Sequence, residues 1–263
     1  GSATWQVGEL ARGGADVSIT IITACDLRYQ PVAQVQQHLA ASHGHAHVTY
    51  SLDGRARGRK FIVTDQSFRE HGVYYVDPQS KYPTRARFKP RLILHALRSL
   101  PTGATLLWLD ADALPLRPID LPTEPDVVLT ARQPTERKVT RSAWLPRLGW
   151  CNAGVIGIRN TPTGVRFVQA WARLTDELGG DQHALNNYVN PDDRQLYPGE
   201  ELLVNGARVY LVDGRQFNNP FYPQISSDVV VVHLKTERWR DHLPQIIEQY
   251  APNMLPQPTG ATT

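Results

Sequence analysis

Asp110 and Asp112 stand one residue apart, directly after the apolar run Leu106-Leu107-Trp108-Leu109. In an extended backbone, residues i and i+2 point to the same side, roughly 7 Å apart. Two carboxylates facing one space repel each other, and a hard divalent cation relieves that repulsion. The pair could also be a plain polar strand end, with Asp112 capping the turn before Pro115. Two other apolar runs end in polar groups and bear on the choice. Val17–Ala24 runs into Cys25-Asp26, and Asp228–Val232 into His233. If the three strands lie side by side in one sheet, their tips share a crevice at the carboxyl edge, where open α/β sheets bind ligands. Two carboxylates and an imidazole, completed by water and phosphate oxygens, form an octahedral site for Mn²⁺, with Mg²⁺ as the alternative. So few protein ligands call for a polyphosphate partner, whose charge Lys89, Lys235 and nearby arginines would balance.

The elements that must position these groups are legible from periodicity. Val17–Ala24 is β-branched and apolar, hence a strand. A helix from about Pro31 to Ala41 follows, with proline in its first turn. Strand, polar turn and helix form the opening of a nucleotide-binding βα unit, here without G-x-G-x-x-G. Further strands are predicted at His47–Leu52, Phe61–Val63, Val73–Val76, Asp126–Thr130, Trp150–Arg159 and Val209–Val212. Leu92, Ile93, Ala96, Leu97 and Leu100 mark one face of a helix over Phe88–Leu100. Another helix runs from Asn160-Thr161-Pro162 to about Glu177, its Val165, Val168, Trp171, Ala172 and Leu174 stripe reading as core. Asp181–Tyr188 is a helix with Asp181 at or near its N-cap, and Asp241–Tyr250 closes the set. The glycines of Trp150–Arg159 mark close backbone approach. The Arg-, Pro- and Trp-rich stretch 131–148 reads as a mobile loop lining a site.

The totals narrow the class. A chain of 263 residues, 41% hydrophobic and 20% charged, is long enough for one large domain or two small ones. A net charge of +3 argues against wholesale nucleic-acid binding. Two cysteines, Cys25 and Cys151, are too few for a disulfide framework and fit a reducing compartment, with a single disulfide left open. No apolar run of about 18 residues is present, so no spanning helix is expected. No signal peptide is visible, and a cytoplasmic location is expected; Gly1-Ser2 has the look of an expression remnant, so an anchor or signal could have stood upstream. Residues 1–16 read as a loose lead-in, 17–250 as one domain and 251–263 as a flexible Pro-rich tail. His43, His45 and His47 alternate, and read as a solvated approach to a strand before they read as a metal site.

Four segments carry a resemblance. Trp108-Leu109-Asp110-Ala111-Asp112 resembles the DxD motif of GT-A glycosyltransferases. Cys151–Asn160 is similar to the N-A-G segment of retaining members, Asp181-Gln182-His183-Ala184-Leu185 to their D-Q-x-x-L segment, and Val232-His233-Leu234-Lys235 to their terminal metal-binding histidine. Order and spacing agree over about Ser18–Trp239. The likeness is to the fungal and plant α-galactosyl- and xylosyltransferase type and to the bacterial lipopolysaccharide galactosyltransferase type. It implies an α/β fold of GT-A kind, a Rossmann-like catalytic domain with a mostly parallel central sheet flanked by helices. It implies a nucleoside diphosphate sugar donor, UDP by default, a glycan, glycoconjugate or small-molecule hydroxyl acceptor, and retention of configuration. It further implies that Asp110, Asp112 and His233 hold Mn²⁺, with Asp110 and Ala111 near the ribose. Thr23, Ala24, Asp26 and Tyr29 would receive the nucleoside, and Lys89 would lie near the diphosphate or donor sugar. Lys235 would face the diphosphate, Asn152 and the Ala153 backbone the sugar, and Asp181 and Gln182 the anomeric carbon. Trp144 and Trp150 could form a stacking wall for an acceptor sugar.

Retention needs either a carboxylate nucleophile or front-face attack shielded by the departing phosphate. Asp181 is the candidate for the first, while the Gln182 carbonyl could stabilise positive charge; front-face attack is the favoured reading. Two other classes compete. A haloacid-dehalogenase-type phosphohydrolase also uses D-x-D, but requires Thr or Val where Leu114 stands. A catalytically inactive nucleotide-sugar or glycan-binding module would not need Asp110, Asp112 and His233 intact.

Overall fold

The computed structural model of the protein describes residues 19–25, 28–53, 62–63, 85–133, 149–219, 225–235 and 239–254. The strands are β1 (Ile19–Cys25), β2 (Ala46–Asp53), β3 (Ile62–Val63), β4 (Thr105–Leu109), β5 (Ala113–Pro115), β6 (Val127–Ala131), β7 (Cys151–Arg159), β8 (Glu201–Val204), β9 (Ala207–Asp213) and β10 (Val231–His233). The helices are α1 (Gln30–Ser42), α2 (Arg85–Ser99), α3 (Pro162–Leu178), α4 (Asp181–Val189), α5 (Gly214–Phe217) and α6 (Trp239–Tyr250). Among the described residues one sheet has the order β3-β2-β1-β4-β7-β6-β9-β8. In it β1, β2, β4, β6 and β9 run one way and β3, β7 and β8 the other. The predominantly parallel α/β sheet expected from the sequence is therefore present.

Both faces of the sheet are covered, which is why β1 and β4 read as nearly unbroken apolar runs. On one face Ile22, Leu106 and Trp108 pack with Leu92 and Leu97 of α2 and Phe167 and Trp171 of α3. On the other, Ile21, Leu107 and Leu109 meet Ala40, Leu121 and Val231. Val32, Val35 and Leu39 of α1 pack with Trp239, Leu243 and Ile246 of α6. Trp171 is fully buried, as its place in the α3 stripe requires.

The α3–α4 corner is set by local chemistry. The Thr161 hydroxyl accepts the Gly164 N–H at 3.0 Å, and Pro162 opens the helix. Gly179 ends it at φ +78°, a left-handed conformation in which a Cβ would be strained. Gly180 then takes the N-cap place, so Asp181 lies in the first turn of α4 and not at its cap.

One strand departs from expectation. The run Asp228–His233 forms a strand only from Val231, and β10 does not join the large sheet. It pairs antiparallel with β5, Val232 opposite Leu114 and His233 opposite Ala113. The cause is the reversal after Asp112: Ala113–Pro115 offers its own edge, which β10 occupies. Neither Cys25 nor Cys151 forms a disulfide, and both are buried. Among the described residues no helix is long and apolar enough to cross a membrane. Outside the described residues lie the lead-in 1–16, Asp26, the strand expected at 73–76, most of the loop 131–148 with Trp144, and the tail beyond Met254.

Candidate metal and donor site

The site is built around the tight turn that follows β4. The Asp110 N–H donates to Gly154 O at 2.8 Å, the Ala113 N–H closes the turn onto Asp110 O at 2.8 Å, and the Leu234 N–H donates to Asp112 O at 2.8 Å. One ligand atom each from Asp110, Asp112 and His233 lies within 4.8 Å of the others. His233 Nε2 is 3.1 Å from Asp112 Oδ1 and 3.8 Å from Asp110 Oδ2. Its Nδ1 lies 2.6 Å from Oδ1 of Asn218, a fully buried side chain. An amide oxygen can only accept, so Nδ1 carries a proton and Nε2 is the atom turned to the carboxylates. A bare lone pair facing two carboxylates repels them; either a proton or a cation must lie between. Gly154 leaves room for the ring: a Cβ there would stand 2.5 Å from His233 Cε1 and 2.8 Å from Nδ1. Two carboxylates and one imidazole nitrogen, backed by an amide that fixes the tautomer, fit a divalent cation.

Lys89 of α2 sits one step behind this cluster. It is 9% exposed, and its Nζ donates to Asp110 Oδ1 at 2.8 Å, Asp181 Oδ2 at 2.9 Å and Ala153 O at 2.8 Å. It also lies 5.6 Å from the centroid of the Trp108 ring. All three ammonium protons are committed, so Lys89, expected near the diphosphate or donor sugar, ties two carboxylates together. Burial alone would lower its pKa, but Asp110 and Asp181 outweigh that and raise it. The reverse holds at Asp110: burial pushes its carboxyl up, yet Lys89 and His233, with hydrogen bonds from Lys89 and Trp108 Nε1, hold it below the usual carboxylate range.

An irregularity in the β6–β7 pairing frees the backbone that this cluster uses. The register of β7 against β6 steps from Leu129↔Ile156 to Thr130↔Asn152, so Ala153, Gly154 and Val155 have no partner in that ladder. Asn152, 4% exposed, stiffens the bulge by accepting the Gly154 N–H at 2.6 Å. The polar face of α4 holds the strand's start. Gln182 Oε1 accepts from Ala153 N at 2.9 Å and from Arg132 Nη2 at 3.1 Å, and Asn186 Oδ1 accepts from Cys151 N at 2.7 Å. The Gln182 carbonyl, expected to face an anomeric carbon, thus already receives two donors. Asp181 is 7% exposed; its Oδ1 accepts the Gln182 N–H at 2.8 Å while Oδ2 pairs with Lys89.

The remaining expected residues are spread around this centre. Thr23 and Ala24 lie at the tip of β1, opposite Thr49 and Tyr50 of β2. The Thr23 hydroxyl is fully buried with no hydrogen-bond partner among the described residues. Tyr29 precedes α1, its ring 6.0 Å from that of Trp239. Half-buried Ala111 lies between the two carboxylates, and the Lys235 N–H donates to His233 O at 2.9 Å. Trp150 is no stacking wall: it is 8% exposed, with its Nε1 donating to Asp193 O at 3.1 Å. The histidine stripe has separate partners, His45 Nε2 accepting from Ile119 N at 3.1 Å and His47 Nε2 lying 2.9 Å from Gln36 Oε1. Asn218 and Gln36 went unnoticed in the sequence. For Asn218 no local signal exists; for Gln36 one does, since it interrupts the apolar stripe Val32, Val35, Leu39.

No protein-family model matches the sequence, and no curated protein matches it. Solved structures do. A glycosyltransferase involved in the glycosylation of the major capsid of PBCV-1 superposes with a TM-score of 0.53 at 15% identity, over 87% of this chain and 98% of that one. The bifunctional glycosyltransferase WbbM, in its apo form, gives 0.51 at 13% identity, over 92% of this chain and 51% of that one. The galactosyltransferase LgtC, in complex with donor and acceptor sugar analogs, gives 0.49 at 15% identity over 90% and 98%. The likeness to the first two establishes that this chain has the GT-A-type fold expected from the sequence.

Proposed function

We propose that the protein is a metal-dependent glycosyltransferase, moving a hexose or pentose from a nucleoside diphosphate sugar, by default a UDP-sugar, to a hydroxyl acceptor with retention. The observation that carries this reading is the convergence of Asp110, Asp112 and His233 at the carboxyl end of β4, in a fold shared with glycosyltransferases. A bound divalent cation, Mn²⁺ on the evidence of the single nitrogen donor, would neutralise charge on the departing diphosphate.

The chain's own residues orient the reaction. Asp110 and Asp112 hold the cation side, and His233, kept in one tautomer by Asn218, completes the set. Lys235, next along the chain from β10, supplies further positive charge to the diphosphate. The nucleoside lies against the β1 tip at Thr23, Ala24 and Tyr29, and the donor sugar over the β7 bulge at Asn152 and Ala153. Asp181 borders the sugar but has both oxygens engaged, by Lys89 and by the Gln182 N–H. That engagement supports front-face attack over a covalent intermediate. The acceptor oxygen bonds to the anomeric carbon as the carbon–oxygen bond to phosphate breaks, and the hydroxyl proton passes to a phosphate oxygen. Gln182 keeps Ala153 and Arg132 in place at the edge of this space.

The test is calorimetric titration of UDP with and without Mn²⁺, beside donor hydrolysis, for the wild type and Asp112→Ala. Mn²⁺-dependent binding and hydrolysis in the wild type, both lost in a folded Asp112→Ala variant, are expected. Metal-dependent binding without turnover of any donor points instead to an inactive binding module. Unchanged UDP affinity in Mn²⁺ for Asp112→Ala overturns the metal assignment.

A further inference from the structure

We propose that Gln36 is a positioning residue for the metal ligands, and that His47 in turn positions Gln36; this rests on the reading of Asp110 and Asp112 as metal ligands. Gln36 lies on α1 and is fully buried. It occupies a helical stripe otherwise made of Val32, Val35 and Leu39. A buried amide on an apolar face is costly unless its groups are paired, and here the pairing is complete. Nε2 donates to Asp110 O at 2.9 Å and to Ala113 O, while Oε1 faces His47 Nε2 at 2.9 Å.

The direction of each bond follows from chemistry. Two carbonyl acceptors on one side require the amide nitrogen there, so the amide oxygen faces His47. An oxygen can only accept, so His47 carries its proton on Nε2. Burial pushes the His47 pKa down to about 4, so the ring is neutral at physiological pH and holds one tautomer.

The two carbonyls belong to the first and last residues of the turn whose side chains are the carboxylate ligands. One amide group therefore fixes the turn's span from outside, through α1, while the Ala113 N–H closes it from within. Backbone drift at Asp110 or Ala113 would change how Asp110 and Asp112 are aimed; partners bonded to the ligating groups themselves change metal affinity by about 10–100-fold when lost, and Gln36, acting through the backbone, is set at the lower end of that range. Gln36 touches neither carboxylate side chain, and would act only through the turn.

The experiment compares wild type with Gln36→Met, which keeps length and apolar bulk but removes the amide. Mn²⁺ affinity is read by electron paramagnetic resonance of unbound Mn²⁺ in saturating UDP. UDP affinity in EDTA is read by calorimetry, and folding by far-UV circular dichroism. About a 10-fold or greater loss of Mn²⁺ affinity, with metal-free UDP affinity unchanged, is expected. Equal Mn²⁺ affinity in the two proteins overturns the inference. Should Gln36→Met not fold, His47→Phe decides: it leaves the Gln36 donors in place but removes their anchor, and an Mn²⁺ affinity equal to wild type overturns the inference equally. A wild type that takes up no Mn²⁺ defeats the metal reading itself, a different result from either.

Discussion

Replacing Lys89 by methionine removes a buried cation and leaves its volume nearly filled. Asp110 and Asp181 lose their shared partner, and the Ala153 carbonyl loses a donor. Taking one member from a buried, hydrogen-bonded charge cluster costs about 3–5 kcal/mol, because the remaining charges stay desolvated. For a domain of this size each kcal/mol moves the melting temperature by roughly 2–4 °C, so a fall of about 6–20 °C is expected in EDTA. The loss has three signatures that a simple packing defect lacks. Adding Asp181→Asn to Lys89→Met removes one stranded carboxylate, so the double variant is more stable than Lys89→Met alone. Mn²⁺ with UDP supplies positive charge beside Asp110 and narrows the gap to wild type as its concentration rises. Lowering pH does the same. Without Lys89, the Asp110 carboxyl loses the largest influence that holds its pKa down against burial, so that pKa rises; the penalty is then greatest at neutral pH and fades as the carboxyl takes up its proton at lower pH. Melting curves of the three proteins at pH 7 and pH 5, with EDTA or with Mn²⁺ and UDP, decide the matter. A Lys89→Met protein melting within about 2 °C of wild type in EDTA refutes the reasoning.

Two further outcomes are expected. Gly154→Ala would drive a Cβ to 2.5 Å from His233 Cε1 and 2.9 Å from Asn152 Oδ1. It should cost about 1–3 kcal/mol of stability and weaken Mn²⁺ binding, read by urea unfolding and metal titration. Asp126 accepts hydroxyl hydrogen bonds from Thr161 and Thr163 and the Arg208 N–H, tying α3 and β9 to the start of β6. Desolvation pushes its carboxyl up, but these donors and Arg159 hold it below its ordinary 3.8. A depressed folded pKa gives stability that is present above the unfolded value and lost as pH falls through the folded one. Asp126→Asn should therefore destabilise by about 1–2 kcal/mol at pH 7, and the difference should shrink below about pH 4 in urea unfolding.

What the sequence made legible divides by range of interaction. Strand β4 and the carboxylates after it could be read because their signal is local: apolar residues, then charge at i and i+2. Helix α3 likewise shows its period, its capping threonine and its terminal glycine. His233 could be marked as a strand end, but not where that strand lies. An apolar run of this length fits a sheet interior or a small ribbon equally well, and the edge offered by β5 decides between them. Lys89 shows the other limit. Its charge suggested phosphate, yet whether an ammonium turns outward to a ligand or inward to Asp110 and Asp181 depends on residues 21 and 92 positions further along the chain. Trp150 reads alike as a stacking surface or as core until its Nε1 is seen bonded to Asp193 O.

The inward turn of Lys89 also explains how carboxylates this close can serve different ends. Asp110, Asp112 and Asp181 bring three carboxylates to the cluster and Lys89 one ammonium, an excess of two negative charges among these four side chains. A divalent cation matches that excess; a monovalent one leaves a charge in a site where Asp181 and Lys89 are almost wholly shielded from water. Lys89 offsets Asp181 and pins one oxygen of Asp110, which leaves the other Asp110 oxygen and Asp112 turned to His233. The division of labour is therefore electrostatic. Asp181 is held against its lysine beside the β7 bulge, and on the proposed function Asp110 and Asp112 would face the cation while Lys235, which follows β10, would meet the charge of a nucleoside diphosphate from the outer side. Were Lys89 turned outward instead, the same three carboxylates would overload one divalent ion and Asp181 would compete for it. On this argument a protein with Asp181→Asn keeps its Mn²⁺ affinity within a few-fold, whereas Asp112→Asn loses it, and titration of the two side by side separates the carboxylate tied to Lys89 from those proposed to hold the metal.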